Sequence, residues 1–209
     1  MKKILVTQII SENSEYYELR QSLDINWASF LKTVGVIPIP ISYNFNLLDY
    51  FQNLEIEGIL LTGGNSLSDL SGCSLSQTRD NFELSLIEES ISRKIPLIGV
   101  CRGMQIIAKY FNLDIGMIKG HVATNHQITF EDQGRYFKGY KKIKFVNSFH
   151  KYAIKTDNRE LTITSRSNDN SIESFEHKID NIIGIMWHPE RYNHPDLEDV
   201  KLFKRVWSC

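Results

Sequence analysis

Four short apolar runs, each tied to a stretch with helical spacing, do most to limit what this chain can become. Lys3-Ile4-Leu5-Val6-Thr7 reads as a strand buried on both faces, because its apolar side chains do not alternate with polar ones. Trp27, Phe30, Leu31 and Val34 then recur at helical spacing, and Gly35 supplies a stop. Val36 to Ile41 is a second strand, which Pro38 and Pro40 push toward a sheet edge because proline cannot donate to a neighbour. A short helix around Leu47, Leu48, Tyr50 and Phe51 leads to a third strand, Gly58 to Thr62, which ends in Gly63-Gly64. Arg79 to Arg93 is a helix with Phe82, Leu86, Ile87 and Ile91 on its buried face. Pro96-Leu97-Ile98-Gly99-Val100 is the fourth strand and feeds into a helix from Cys101 to about Phe111. The polar segments 11–21 and 66–77 read as loops. Strands alternating with helices predict a mostly parallel central sheet with helices on both faces.

The second half changes character. Lys141 to Val146, Glu160 to Ser165, Ser171 to Glu176 and Ile182 to Trp187 look like strands without long helices between them. They are expected as antiparallel additions to the same sheet, before a final helix from Pro195 through Trp207. With no repeat and no long linker, residues 1–209 are expected to form one α/β domain, long enough to bury a substantial core.

Charge and cysteine usage narrow the partners. A formal net charge of −1 gives no bulk attraction to nucleic acid or to an anionic membrane. The one small basic group, Lys138, Lys141, Lys142 and Lys144, is expected to be a solvated strand edge. No apolar run approaches membrane-spanning length, and a strand starting at Lys2 leaves no room for a signal peptide. Three cysteines, Cys73, Cys101 and Cys209, have no framework spacing and suit a reducing cytoplasm, and Cys209 as last residue makes no prenylation box.

Chemistry concentrates at two strand ends. Gly99-Val100-Cys101-Arg102-Gly103 has the layout of a nucleophile elbow, in which flanking glycines relieve a sharp strand-to-helix turn. The thiol there would face a helix N-terminus, whose partial positive charge favours thiolate. Taken alone, the same Cys is also compatible with plain packing as a small apolar residue. His188-Pro189-Glu190, directly after an apolar strand, supplies a base and a group to orient it. Pro189 favours an extended His188, and i, i+2 spacing along an extended segment would put His188 and Glu190 on one side. His121 and His126 do not have the spacing of a helix-borne metal pair and show no third ligand, so no metal and no cofactor is expected.

These residues resemble class I glutamine amidotransferase domains, and more narrowly their stand-alone γ-glutamyl hydrolase relatives, over essentially the whole chain. The resemblance rests on Leu61-Thr62-Gly63-Gly64, Arg79-Asp80-x-x-Glu83, the elbow continued by Met104-Gln105, Asn147-Ser148-x-His150 and Trp187-His188-Pro189-Glu190. It implies a flavodoxin-like fold and a glutamyl thioester on Cys101, with His188 as general base and acid and Glu190 orienting it. It also implies an oxyanion hole made by the backbone N–H groups of Gly64 and Arg102. The glutamyl moiety would be bound by Gly63, Gln105, Asn147, Ser148 and Phe149, the last three largely through their backbone, with His150 stabilising that loop. Arg79, Asp80 and Glu83 are either a substrate-binding motif of such hydrolases or ordinary charge pairing in a first helical turn. Because the backbone N–H does the work, the Arg102 side chain is not required, and its plain alternative is an arginine on the helix surface.

The resemblance leaves the leaving group open among γ-glutamylated small molecules: polyamines, folates, or a nucleotide amidate. Met186 where the family has Gln, and 116–126 in place of a Gly-rich stretch, are departures that bear on specificity. Segments 11–21, with Tyr16, Tyr17 and Arg20, 66–77 and 116–126 are expected to surround the leaving group. A glutaminase subunit feeding ammonia to a separate synthase is the alternative, so a synthase partner is possible but not required. A non-enzymatic binding protein on the same scaffold is disfavoured because every triad member is present.

Overall fold

The computed structural model describes residues 1–131 and 134–208, so Cys209 lies outside the described residues. The chain opens with β1 (Lys2–Val6), a hairpin of β2 (Ile9–Glu12) and β3 (Leu19–Ser22), α1 (Asn26–Val34) and β4 (Val36–Pro40). It continues through α2 (Leu47–Asn53), β5 (Ile56–Leu61), α3 (Ser68–Ser71), α4 (Ser74–Arg93), β6 (Leu97–Val100) and α5 (Arg102–Tyr110). Seven strands follow: β7 (Ile115–Met117), β8 (Val122–Phe130), β9 (Ile143–Phe149), β10 (Tyr152–Ile154), β11 (Leu161–Ser167), β12 (Ile172–His177) and β13 (Ile182–Ile185). The last helix is α6 (Leu197–Trp207).

Eleven of these strands make one sheet in the order β4-β1-β5-β6-β13-β12-β11-β8-β9, with β7 and β10 attached beside β12. From β4 to β13 every pair is parallel, and from β13 to β9 every pair is antiparallel. The predicted architecture is therefore present, with one correction: β13 was expected among the antiparallel additions, but it runs parallel to β6. Its run Ile182-Ile183-Gly184-Ile185 is buried throughout, the pattern of a central parallel strand.

Alternation places two cores on the two faces. Ile4, Val6, Leu60, Ile98, Val100, Ile183 and Ile185 face α1 and α6, where Trp27, Phe30, Phe203 and Trp207 pack. Leu5, Ile59, Leu61, Leu97 and Ile182 face α4 and α5, where Leu86, Ile87, Met104 and Ile107 pack. In α4 only Leu86 and Ile87 of the four expected apolar contacts are fully buried; Arg79, Asp80 and Glu83 share that inner face. The edge position of β4 matches its two prolines.

Three segments depart from the expectation. Residues 11–21 are mostly hairpin, paired from Ile9 with Ser22 to Glu12 with Leu19. Residues 66–77 hold α3 and the first turn of α4, so Arg79 lies in the second turn of that helix. The final helix starts at Leu197, with Asp196 as N-cap accepting from the amides of Glu198 and Asp199. Among the basic group, Lys138, Lys141 and Lys142 are exposed beside edge strand β9, but Lys144 is buried. Its ammonium sits 3.0 Å from Asp199, 3.3 Å from Asp196 and 3.5 Å from Glu198, an ion cluster that ties β9 to α6. No helix among the described residues is long and apolar enough to cross a membrane.

Candidate active site

Cys101 joins β6 to α5 with φ +54° and ψ −107°, a strained conformation for a side-chain-bearing residue that costs about 1–3 kcal/mol. The strain is held from both sides. The Cys101 amide donates to Ile185 O on β13 at 2.8 Å, and the Cys101 carbonyl accepts from Gln105 N at 3.1 Å. Gly103 lets the elbow close, since a Cβ there would land on the carbonyl oxygen of Leu61.

The base arrives on the neighbouring strand, because β13 pairs with β6 in the register Ile185 to Val100. His188 is extended as its proline demands, but Pro189–Arg191 forms a 3-10 turn where an extended segment was expected. The turn folds the Glu190 carboxylate back to 2.7 Å from His188 Nδ1. A carboxylate can only accept, so Nδ1 carries the proton and Nε2 is the nitrogen left for Cys101. A Cβ built on Gly63 would lie 2.6 Å from His188 Cε1 and 3.5 Å from Cys101 Cβ, so only a bare glycine fits beside the imidazole and the elbow.

Electrostatics favour the charged form of each partner. Burial alone would push the Cys101 thiol up, yet the His188 charge and hydrogen bonding from His188 and the Arg102 amide hold it below its ordinary value. Burial would likewise depress His188, but the facing Cys101 thiolate and then Glu190 raise it to about 9. Asn147 fixes the histidine backbone, donating from Nδ2 to His188 O and accepting His188 N–H at Oδ1, both at 2.8 Å.

The loop after β5 is held from beneath. Arg79, fully buried, donates to the carbonyls of Thr62 at 2.7 Å, Gly63 at 3.1 Å and Gly64 at 3.3 Å, and to Glu83 at 2.8 Å. In a trans peptide the carbonyl and the following N–H point opposite ways. With the Gly63 carbonyl turned to Arg79, the Gly64 amide is turned away from it. Arg79 is therefore not placed as a substrate contact, contrary to expectation: its guanidinium is consumed by the loop carbonyls and Glu83. The Arg102 side chain lies inside the fold, paired with Asp80 and Glu83. Asp80 also accepts from Ser68 N and Oγ, both at 2.8 Å. These four charged residues form one network tying α4 to the elbow and its neighbouring loop.

Cys101 opens into a cleft of about 250 Å³, lined also by Gly64, Ser66, Gln105, Phe149 and Lys151. Gln105 is buried and directed by a hydrogen bond from Nε2 to Tyr152 O at 3.0 Å. Phe149 stands edge-on to His188, ring centroids 5.8 Å apart. Gly63 lines a smaller recess on the other side of the loop, with His188 and Glu190. The Asn147 and Ser148 side chains do not line the cleft; Ser148 Oγ donates inward to His121 O at 2.7 Å. Of the three segments expected around the leaving group, only 66–77 reaches the cleft, through Ser66. Tyr16 and Tyr17 are exposed, and Arg20 donates to Tyr16 OH at 3.1 Å. Lys151 and Tyr152, which the sequence reading missed, follow directly on the Asn-Ser-x-His motif and line the cleft.

His121 and His126 are ring neighbours, centroids 4.5 Å apart. A different set, His121, His150 and Glu173, brings one ligand atom each within 4.8 Å of one another. Glu173 comes from β12, far along the chain, so local spacing gave no sign of it.

The chain is 38% identical over 207 residues to the γ-glutamyl-CDP-amidate hydrolase of Campylobacter jejuni subsp. jejuni serotype O:2, covering 97% of this chain and 96% of that one. It is 28% identical over 161 residues to a glutamine-hydrolysing GMP synthase subunit of Methanococcus aeolicus, covering 77% and 79%. Its fold is similar to the crystal structure of a putative GMP synthase subunit from Thermoplasma acidophilum, with TM-score 0.73, 19% identity and coverage of 100% and 93%. A family model, Peptidase C26, matches residues 5–190, a span holding the elbow, the Arg79 network and the His-Pro-Glu turn, and the chain belongs to that family.

Proposed function

We propose that this chain is a γ-glutamyl amide hydrolase that works through a glutamyl thioester on Cys101. The observation that carries the reading is geometric: Cys101 at the strained elbow, His188 beyond the adjoining strand, and His188 Nδ1 held 2.7 Å from Glu190. In the first half-reaction the thiolate attacks the γ-carbonyl, and the developing oxyanion takes hydrogen bonds from the Gly64 and Arg102 amides. Losing one such donor costs about 3 kcal/mol of barrier. His188 passes its Nε2 proton to the leaving nitrogen as the C–N bond breaks. In the second half-reaction His188 removes a proton from water, hydroxide adds to the thioester, and glutamate leaves with Cys101 restored as thiolate and His188 as imidazolium. Glu190 supports the imidazolium throughout.

The substrate proposed is a γ-glutamylated nucleotide amidate, giving glutamate and CDP-amidate in the cytoplasm for capsule polysaccharide modification. Support comes from the Campylobacter relative and from Lys151 at the cleft, a cation suited to a diphosphate. The Methanococcus relative favours a second reading, a glutaminase subunit serving a separate synthase. The test compares kcat/KM of the purified chain for γ-glutamyl-CDP-amidate, glutamine, γ-glutamyl polyamines and folate polyglutamates. The nucleotide amidate should be turned over best with no added protein. Glutamine as best substrate, and only beside a synthase, would replace this reading with the second.

A further inference from the structure

We propose that His121 Nδ1, His150 Nε2 and Glu173 Oε1 bind a divalent transition-metal ion of the zinc type, a site that clamps one wall of the cleft. The three atoms form a triangle with sides of 3.2 Å, 3.6 Å and 3.6 Å. Zinc bonds of about 2.0–2.2 Å to nitrogen and carboxylate oxygen give tetrahedral edges of about 3.3–3.6 Å. An octahedral face at the same bond lengths would have edges of about 3 Å, so the triangle favours the tetrahedral ion.

Proton placement supports the same assignment. Asp169 accepts from the amide and hydroxyl of Ser171, and its second oxygen lies 2.9 Å from His121 Nε2. His121 Nε2 therefore carries the proton, and Nδ1 presents a lone pair. His150 Nδ1 lies 2.9 Å from the carbonyl of Tyr152, which can only accept, so Nε2 is the free nitrogen of that ring. Each inner nitrogen is thus backed by an outer N–H anchored on an oxygen, the arrangement that orients metal-binding imidazoles.

A proton shared by the two histidines is the competing account. It would give Glu173 a nearby charge but, lying on the line between the two nitrogens, no hydrogen bond, and Glu173 Oε1 is buried with no hydrogen-bond partner among the described residues. A cation at the triangle's centre faces that oxygen and both nitrogens at once. The other oxygen is braced by His126 Nε2 at 3.4 Å. The ligands come from the approach to β8, the turn between β9 and β10, and β12. His150 itself lines the cleft beside Cys101, so the ion would fix that wall without touching the reacting atoms.

Cobalt titration of the chelator-treated, full-length chain tests this. One equivalent should bind with the visible spectrum of a tetrahedral ion and no thiolate charge-transfer band, and zinc should displace it. Cys101→Ala should bind as tightly as wild type, and Glu173→Gln about 100-fold more weakly or worse. Zinc should raise the Tm of wild type and not that of Glu173→Gln. Absence of saturable binding to wild type, or a thiolate band lost in Cys101→Ala, overturns the proposal. Should Glu173→Gln not fold, zinc-edge X-ray absorption of the wild-type chain decides: a nitrogen and oxygen shell with imidazole scattering supports the site, and a sulfur shell overturns it.

Discussion

The parallel and antiparallel halves of the sheet are both buried, but by different chemistry. On the parallel side Leu5, Val6, Ile59, Leu60, Leu97 and Ile98 are wholly shielded and apolar. On the antiparallel side Thr164, Ser165, Ser174 and Glu173 are as deeply buried and polar. Their hydroxyls satisfy one another: Ser174 Oγ lies 2.6 Å from both Thr164 Oγ1 and Ser165 Oγ. Apolar packing is non-directional and tolerates substitution by volume, whereas a buried hydrogen-bond network fixes positions and is costly when half satisfied. The division of labour follows. The parallel half supplies a stiff platform on which the elbow stores its strain, while the antiparallel half holds Asn147 and His150, which set the base and the cleft wall.

The largest effect should come from the platform's product. Cys101→Ala should lower turnover about 10⁴-fold or more while leaving the urea midpoint close to wild type. Retention of most activity would remove the elbow from the chemistry. Next, Glu83→Gln leaves Arg79 and Arg102 short of a buried counter-charge and should cost about 3–5 kcal/mol in urea unfolding. A loss under about 1 kcal/mol would mean that the charged network beneath the platform is screened by water.

Asn147→Ala breaks the comparison from the other side. It should lower kcat about 100-fold with little change in KM, because the imidazole drifts while the cleft is intact. Unaltered kcat would show that the antiparallel half does not position the base. Glu190→Gln sharpens the same point through pH. His188, raised to about 9, must be protonated to serve the leaving nitrogen, so kcat/KM should fall as pH rises through about 9. Removing the Glu190 charge should move that limb to lower pH, and an unmoved limb would assign it to another group. The sign for stability is the same: a raised histidine contributes fully below its ordinary value near 6.5, and the contribution is lost as pH rises through about 9. Last, Ser174→Ala should cost about 1–3 kcal/mol, because it takes from the buried Thr164 and Ser165 hydroxyls the partner they share. A neutral result would make the polar half as forgiving as the apolar one.

The same contrast explains what could be read from the residues alone. β1, β5 and β6 were legible because burial on both faces requires unbroken apolar runs, β4 because its prolines mark an edge strand, and the elbow because its glycines are local. β8 was missed because its polar Thr124, Asn125 and Gln127 are partnered across the sheet rather than hidden by hydrophobicity. The inward turn of Arg102 was undecidable for a related reason. A guanidinium enters a core only with counter-charges, and Asp80 and Glu83 come from a different helix. The cleft lining was partly visible, since Gln105 lies one helical turn after Cys101, whereas Lys151 carries no pattern of its own.

The adjacency of β6 and β13 has a consequence for how the molecule is made. During synthesis Cys101 emerges long before His188, and the strand carrying the base must insert beside β6 after most of the antiparallel half has been synthesised. Until that late, long-range pairing forms, the thiol lacks its imidazolium and has the nucleophilicity of an ordinary cysteine. Reactivity is thereby withheld from the nascent chain and conferred by the closing step of folding.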